Sequence, residues 1–598
     1  MSHFKVPLRD IEFALFEVFH FEAHCEEYCP SLDRSLTLAL LEESARFCEQ
    51  VIAPLSAVGD SEGCRLEDGE VRTPSGFKAA YAQYCDAGWP SLSRSVDFGG
   101  QGLLQSLGCV INEMNASANY AWTMYPGLSQ GAMHTIESHG SDTQKQTYLP
   151  SLISGRWTGT MCLTEAHCGT DLGLLKTKAT PLEDGCYKLN GTKIFISSGD
   201  HDLAENIVHI VLARLPDAPP GTRGTSLFIV PKINVNRDGS LGERNNVNCG
   251  SLEHKMGIHG NATCVLNFDG AIGTLLGEPN KGLQLMFTFM NLARLGTGLQ
   301  GLAHAEVGFQ KSLQYSRQRL QGRSLTGTKS ALDSADPIIV HPDVRRMLIT
   351  QKALSEGMRM MAYFAAKRFD IVEHAQSAVK RQAAQDMLSL ITPIAKGFMT
   401  EVGFESANLA LQCFGGHGYI KEWGVEQNVR DCRIASLYEG TTGVQALDLL
   451  GRKILLSNGS LLEGFADCVL TYCNESANIP ELSPYVKTLA RLHSEWLATT
   501  ARIGERALEN ADEVGAASVD YLMYCGYLFM GYMWARAAKT AVQALAAGTP
   551  EQDFYRAKLE TARFYFERIL PRTFSLIASM NSGAPNMMDL PVDHFSFS

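Results

Sequence analysis

The periodicity of the apolar residues changes along this chain, and that change limits the possible architecture more than any other feature. From residue 36 to about residue 152 apolar side chains recur at helical spacing, as in LTLALLEESARFCEQVI, with Gly and Pro breaks near 88–90 and 97–102. Between residues 159 and 277 the pattern becomes short, β-branched and rich in turns. YKLNGTKIFISSG, ENIVHIVLARL, GTSLFIVPK and NATCVLNFDG read as strands, with turns at Asn190-Gly191 and Asp269-Gly270. Helical patterns return from residue 282 to about 450, and a fourth, mostly helical block follows Gly459. A chain of 598 residues exceeds what a single core supports. The expected fold is α+β in four domains: an N-terminal helical domain (1–158), a central β domain (159–281), a helical bundle (282–455) and an additional C-terminal helical domain (456–598).

Charge and cysteine content exclude several functions. The 52 basic and 64 acidic side chains leave a formal charge of −12, a surface that repels phosphate backbones, so nucleic acid is not an expected partner. The 16 cysteines are scattered without C-x-x-C spacing, which predicts reduced thiols and no metal site. The N-terminal stretch carries acidic residues within its apolar run and does not read as a signal peptide. The most apolar aromatic-rich run, 521–535, is too short to span a bilayer, so no membrane span is expected and the predicted location is cytoplasmic.

Five local segments carry candidate chemistry. MCLTEAHCGTD (161–171) offers small residues, hydroxyls and backbone amides that suit a flat ring with a polar edge, and equally suits an edge strand with a capped turn. In GTKIFISSG (191–199), alternation places Phe195 and Ser197 on one face; a half-buried strand explains the same pattern. Arg294 in MNLAR is a cation on an apolar helix, read by itself as a surface or interhelical ion pair. The basic run YSRQRLQGR (315–323) could clamp a pyrophosphate or merely complement a helix C-terminus. The last segment combines QCFGGHGY (412–419), Arg430-Asp431 and LYEGTT (437–442), where glycines admit close backbone approach and Glu439 is set between Tyr438 and Gly440.

Together, in this order, the five segments resemble the acyl-CoA dehydrogenases, whose pattern is T-E-x-x-x-G-S/T-D, G-x-K-x-x-I-S/T-N/S-G, a helical Arg, R-x-x-F-G, Q-x-x-G-G-x-G-Y and Y-E-G-T. The resemblance covers about residues 36–450, and LEHKMGIHG and the N-terminal FKVPLRDIEFALFEVF narrow it to the long bacterial subgroup that includes the 3-methylmercaptopropionyl-CoA dehydrogenases. Two positions depart from the pattern: Phe195 replaces a tryptophan, and Gln321-Gly322 lacks the Phe of R-x-x-F-G. His167 also replaces a small residue.

The resemblance implies a central domain of β-barrel-like form and FAD as cofactor. It places the flavin ring against Met161, Leu163, Thr164, Phe195, Ile196 and Ser197, and counts Gly169 and Thr170 among the other cofactor contacts. Arg319, Gln321, Gln412 and Gly416 would meet its pyrophosphate and adenine across a subunit interface, and Gly440, Thr441, Thr442 and Gly443 another part of it. Thr170, Asn291, Arg294 and Tyr438 would touch the acyl-CoA, although family members more often carry an acidic residue at the Asn291 position. Glu439 would be the catalytic base for the α proton, with the β-hydride passing to flavin N5 and a trans-2-enoyl-CoA as product. The amide of the base and a ribityl hydroxyl would hold the thioester oxygen. Electron-transfer flavoprotein as acceptor, a homodimer and a place in fatty-acid β-oxidation follow from the same resemblance. Two alternatives share these motifs: an acyl-CoA oxidase using O2, and a DNA-associated flavoprotein, against which the charge and the intact Y-E-G-T argue. The aromatic run 120–126 fits either the end of an acyl pocket or plain core, and the block after residue 456 is expected to pack on its own chain.

Overall fold

The computed structural model describes residues 4–236 and 238–596, and these form two compact units: one mainly of residues 36–296, the other of residues 7–35 and 297–596. In the first unit, helices α1 (Gln105–Ala118) and α2 (Tyr120–His139) are separated by Asn119, whose side chain accepts the amide hydrogen of Trp122 and starts α2. Trp122 is fully buried between Phe47 and Tyr84, and its indole N–H donates to the Phe77 carbonyl. It is a core residue.

The chain then enters seven strands: β1 (Trp157–Cys162), β2 (Lys178–Pro181), β3 (Tyr187–Ser197), β4 (Asn206–Arg214), β5 (Thr225–Pro231), β6 (Val247–Leu252) and β7 (Thr263–Leu276). Strands β3, β2, β4, β5 and β7 pair in turn, and β7 returns to β3, closing a ring. This is the barrel-like form that the family resemblance implies, with β1 added parallel to β4 and β6 antiparallel to β7. Strands β4 and β5 are buried along almost their whole length, so they read as continuous apolar runs. Two buried histidines pair with threonines of β1: the Nδ1 of His209 on β4 meets Thr160 at 2.7 Å, and the Nε2 of His201, before β4, meets Thr158 at 2.9 Å. Burial pushes both imidazoles down to about 3, so they are neutral core groups.

The second unit is helical. It holds helix α3 (Gly282–Gln318) from Thr297 onward, α4 (Pro342–His374), α5 (Ala378–Phe414), the short α6 (Thr442–Leu447) and α7 (Asp512–Ala546). Helix α7 is buried on nearly all sides, as its composition predicts. It lies close against α4 and α5 because glycines stand at the crossings. A Cβ on Gly357 would meet Met530 at 2.6 Å, one on Gly397 would meet Leu522 at 2.7 Å, and one on Gly526 would collide with the Phe398 ring. Trp534 donates to the Ala353 carbonyl at 3.0 Å, and Arg572 grips Glu405 with two bonds of 2.7 and 2.8 Å. The C-terminal block therefore packs on its own chain. Residues 7–35 join the same unit through Lys558, which bonds Asp10 and Glu356, and through Arg536, which donates to the Val18 carbonyl. Among the described residues no helix is long and apolar enough to cross a membrane.

Filling one of these crossings should be costly. Gly526→Ala is expected to destabilise the protein by about 1–3 kcal/mol through overpacking against Phe398. Calorimetry would read this as a lower melting temperature, and an unchanged one would mean that the crossing is looser than described.

Candidate active site

In the barrel unit the site is framed by a buried ion pair. After β1 the chain leaves the sheet through Leu163 and Thr164 and reaches Glu165, which is buried. Its carboxylate accepts the ammonium of Lys193 at 2.9 Å, the amides of Lys176 and Thr177 at 2.7 and 3.0 Å, and the Thr177 hydroxyl at 2.6 Å. Burial alone would raise the Glu165 carboxyl, but Lys193 and these bonds outweigh it and bring it down to about 2. Lys193 also donates to the Leu163 carbonyl at 2.8 Å, and the Ile194 amide donates to the Thr164 carbonyl at 2.9 Å. The first and second sequence segments are thereby locked side by side. His167 and Cys168 lie within 4.8 Å of Glu165, but both oxygens of that carboxylate are already engaged.

Strand β3 is not regular here. Leu266 pairs with Lys193 and Cys264 with Ile196, so one residue of β7 stands opposite two of β3, a bulge. Phe195 sits in it at φ +57. Simple alternation would put Lys193 on the same face as Phe195 and Ser197; the bulge instead turns Lys193 inward and leaves Phe195 58% exposed with Ser197 half-buried. Met161 and Thr164, which precede this strand in the chain, are half-buried, whereas the Leu163 and Ile196 side chains are core. Among the described residues the hydroxyls of Thr164 and Ser197 make no hydrogen bond, so donors and acceptors remain beside an exposed aromatic ring. That combination suits a planar ring with a polar edge, and FAD fits it. Gly169 and Thr170 are exposed, and His167 turns back to the Leu174 carbonyl at 3.0 Å. On the first part of α3, Asn291 is half-buried, and Arg294 is buried with its guanidinium 5.6 Å from the Phe287 ring.

In the helical unit, Glu439 is half-buried at φ +58 and is followed by Gly440 at φ +89. A glutamate in this left-handed region costs about 1–2 kcal/mol unless contacts hold it. Tyr438 is anchored through its hydroxyl to Gln300 at 2.5 Å, and Gln445 donates to the Glu439 carbonyl at 3.0 Å. Thr441 caps α6 by accepting the Val444 amide, and Thr442 donates to Glu401 at 2.5 Å. The conformation is set by these partners, several of which lie far away in sequence.

Arg319, Gln321, Gln412 and Gly416 are all exposed. The two segments that carry them are brought together by Tyr315, which stacks on Phe414 at 4.2 Å and meets the Nδ1 of His417 at 3.0 Å. The loop after α3 is folded around buried Asp336, which accepts the amides of Ser324, Lys329 and Ser330 and the guanidinium of Arg323. Arg323 is thus engaged within its own loop, whereas Arg319 is turned to the surface. Lys396, which contacts the Glu439 turn, and Gln412 lie on α5 sixteen residues apart, about 24 Å at 1.5 Å per residue. The Glu439 turn and the glycine turn therefore touch α5 at places about 24 Å apart.

Family models match in chain order: the acyl-CoA dehydrogenase N-terminal domain over residues 37–156, the middle domain over 160–271, the C-terminal domain over 280–455, and the acetyl-CoA dehydrogenase C-terminal-like model over 464–591. The chain belongs to the acyl-CoA dehydrogenase family, oxidoreductases that act on acyl-CoA with FAD. Within it, the chain is similar to 3-methylmercaptopropionyl-CoA dehydrogenase of Ruegeria pomeroyi, 42% identical over 95% of this chain and 96% of that one. A butyryl-CoA dehydrogenase of Syntrophomonas wolfei is 33% identical over the full length of both. An acyl-CoA dehydrogenase of Bacillus anthracis, solved with FAD, has the same fold at a TM-score of 0.72 and 20% identity, covering 93% of this chain and 90% of that one.

Sequence reasoning missed the Glu165–Lys193 frame, and a test follows from it. Lys193→Met should leave a buried carboxylate without its cation and cost about 3–5 kcal/mol, with loss of FAD on purification. Adding Glu165→Gln should restore most of that stability. A single variant that melts like wild type would remove the pair from its framing role.

Proposed function

We propose that this chain removes the α and β hydrogens of a fatty or related acyl-CoA to give a trans-2-enoyl-CoA, with Glu439 as the base. The observation that carries this reading is the Glu439 turn: one carboxylate held in a costly backbone state by Tyr438, Gln300 and Gln445. An α C–H is too weak an acid for a free carboxylate, so the thioester oxygen needs donors placed in advance, and the Glu439 amide is one such donor. Bound acyl chain would exclude water from the carboxylate and raise its basicity. Met161, Thr164, Phe195, Ser197 and the main chain of Leu163 and Ile196 would hold the flavin ring, with Gly440 to Gly443 against another part of it. FAD supplies the acceptor for the β-hydride. Thr170, Asn291, Arg294 and Tyr438 are assigned to the acyl-CoA. Likeness to relatives named for 3-methylmercaptopropionyl-CoA and butyryl-CoA supports a short acyl chain.

Electron-transfer flavoprotein is the proposed acceptor. The proposed assembly is a homodimer in which Arg319, Gln321, Gln412 and Gly416 serve the FAD of a second copy; their distance along α5 from the Glu439 turn supports that division. Light scattering should show at least a dimer, and dissociation should release FAD. A fully active, FAD-loaded monomer would contradict it.

Glu439→Gln keeps the side-chain shape and removes the base. FAD should stay bound while bleaching under argon, tested with butyryl-CoA, 3-methylmercaptopropionyl-CoA and longer acyl-CoAs, slows by several orders of magnitude. Bleaching at the wild-type rate would end this assignment.

A further inference from the structure

Lys396 is a fully buried lysine in the apolar stretch ITPIAKGFMT of α5, and no role assigned above uses it. Its Nζ donates to the Gly440 carbonyl at 2.6 Å. Gln445, also fully buried, donates to the Glu439 carbonyl at 3.0 Å and reaches that of Gly440 at 3.5 Å. Two successive carbonyls, that of the candidate base and that of the next residue, are thus gripped from two different helices. Both residues carry positive φ; glycine adopts it freely, but at Glu439 the state is costly and persists only with outside contacts. A Cβ at position 440 would stand 2.6 Å from Gln445 Nε2, so glycine is what admits the amide. Burying an ammonium is expensive, and an apolar side chain would fill this place at less cost. The position calls for a long cationic donor.

We propose that Lys396 and Gln445 form a two-point clamp that fixes the backbone of Glu439, acting as positioning residues for α-proton abstraction. The clamp sets the angle at which the carboxylate meets the α C–H and the heading of the Glu439 amide toward the thioester oxygen. The inference rests on Glu439 being the base. Reaction requires contact at near-bonding distance, and a displacement of about 1 Å costs on the order of 10²-fold in rate.

The test uses the FAD-loaded full chain and the variants Lys396→Met and Gln445→Met. The probe is butyryl-CoA, or 3-methylmercaptopropionyl-CoA if that bleaches wild type faster, with and without α-deuterium. Single-turnover bleaching at saturation should fall on the order of 10²-fold with the half-saturating concentration nearly unchanged, and the α-deuterium isotope effect should rise. A crystal structure of Lys396→Met should show residue 439 leaving positive φ. Wild-type bleaching in folded variants, or a loss confined to half-saturation, would overturn the clamp; if Lys396→Met does not fold, Gln445→Met decides. Glu439→Gln separates the two ideas: wild-type bleaching there removes the base assignment itself, whereas slow bleaching there beside normal clamp variants removes only the clamp.

Discussion

The ion pair between Lys193 and Glu165 is the contact on which the candidate surface of the barrel unit depends. A carboxylate buried without a cation would be neutralised or would open the loop, and neither outcome leaves a defined surface. With Lys193 in place, Glu165 gathers three more donors from residues 176 and 177, and the loop after β1 becomes as fixed as the strands around it. The bulge completes the frame. It sends Lys193 inward and Phe195 outward from positions that a regular strand would point the same way. A buried cation and an exposed aromatic ring thus come from neighbouring residues of one strand.

The helical unit meets a similar demand by different means. A single acidic side chain must be held in a backbone state that a free peptide would leave, and the restraint comes from α3, α5 and α6 together. Each of those helices is in turn kept in place by packing. Helix α7 lies in contact with α4 and α5 at three glycine crossings, so the C-terminal block contributes to the rigidity of α5 although it carries none of the candidate site residues.

Much of this was legible in the sequence. The change from helical spacing to turn-punctuated strands and back marks the β domain, because strand and helix periods differ and survive in single residues, whereas its barrel-like form followed only from the family resemblance. The glycine and threonine motifs are local but individually ambiguous, so Phe195, Glu439 and Gly416 are singled out only when the five segments are read together as a family resemblance. What escaped was set by distant partners. The bulge is a register difference between β3 and β7, strands about seventy residues apart in sequence, and nothing in GTKIFIS alone announces it. Lys193 consequently reads as an outward polar residue. Lys396 reads as an interruption of an apolar helix until the carbonyl of Gly440 is placed at its tip. Trp122, offered by the sequence as either pocket or core, is decided by Phe47, Tyr84 and Phe77, none of them within thirty residues of it.

Helix α5 also acts as a ruler. Lys396 and Gln412 sit at two of its marks, and the glycine crossing with α7 falls beside the first. Each added residue in an α-helix turns everything beyond it by about 100° and advances it by about 1.5 Å. Residue identities between positions 396 and 412 are therefore open to drift wherever a neighbour can adapt, but their number is not. One insertion or deletion would rotate the glycine turn to the wrong side of the bundle while leaving every motif intact to the eye. In this chain the spacing itself carries structural information, and a reader who scores only the letters would not see it lost.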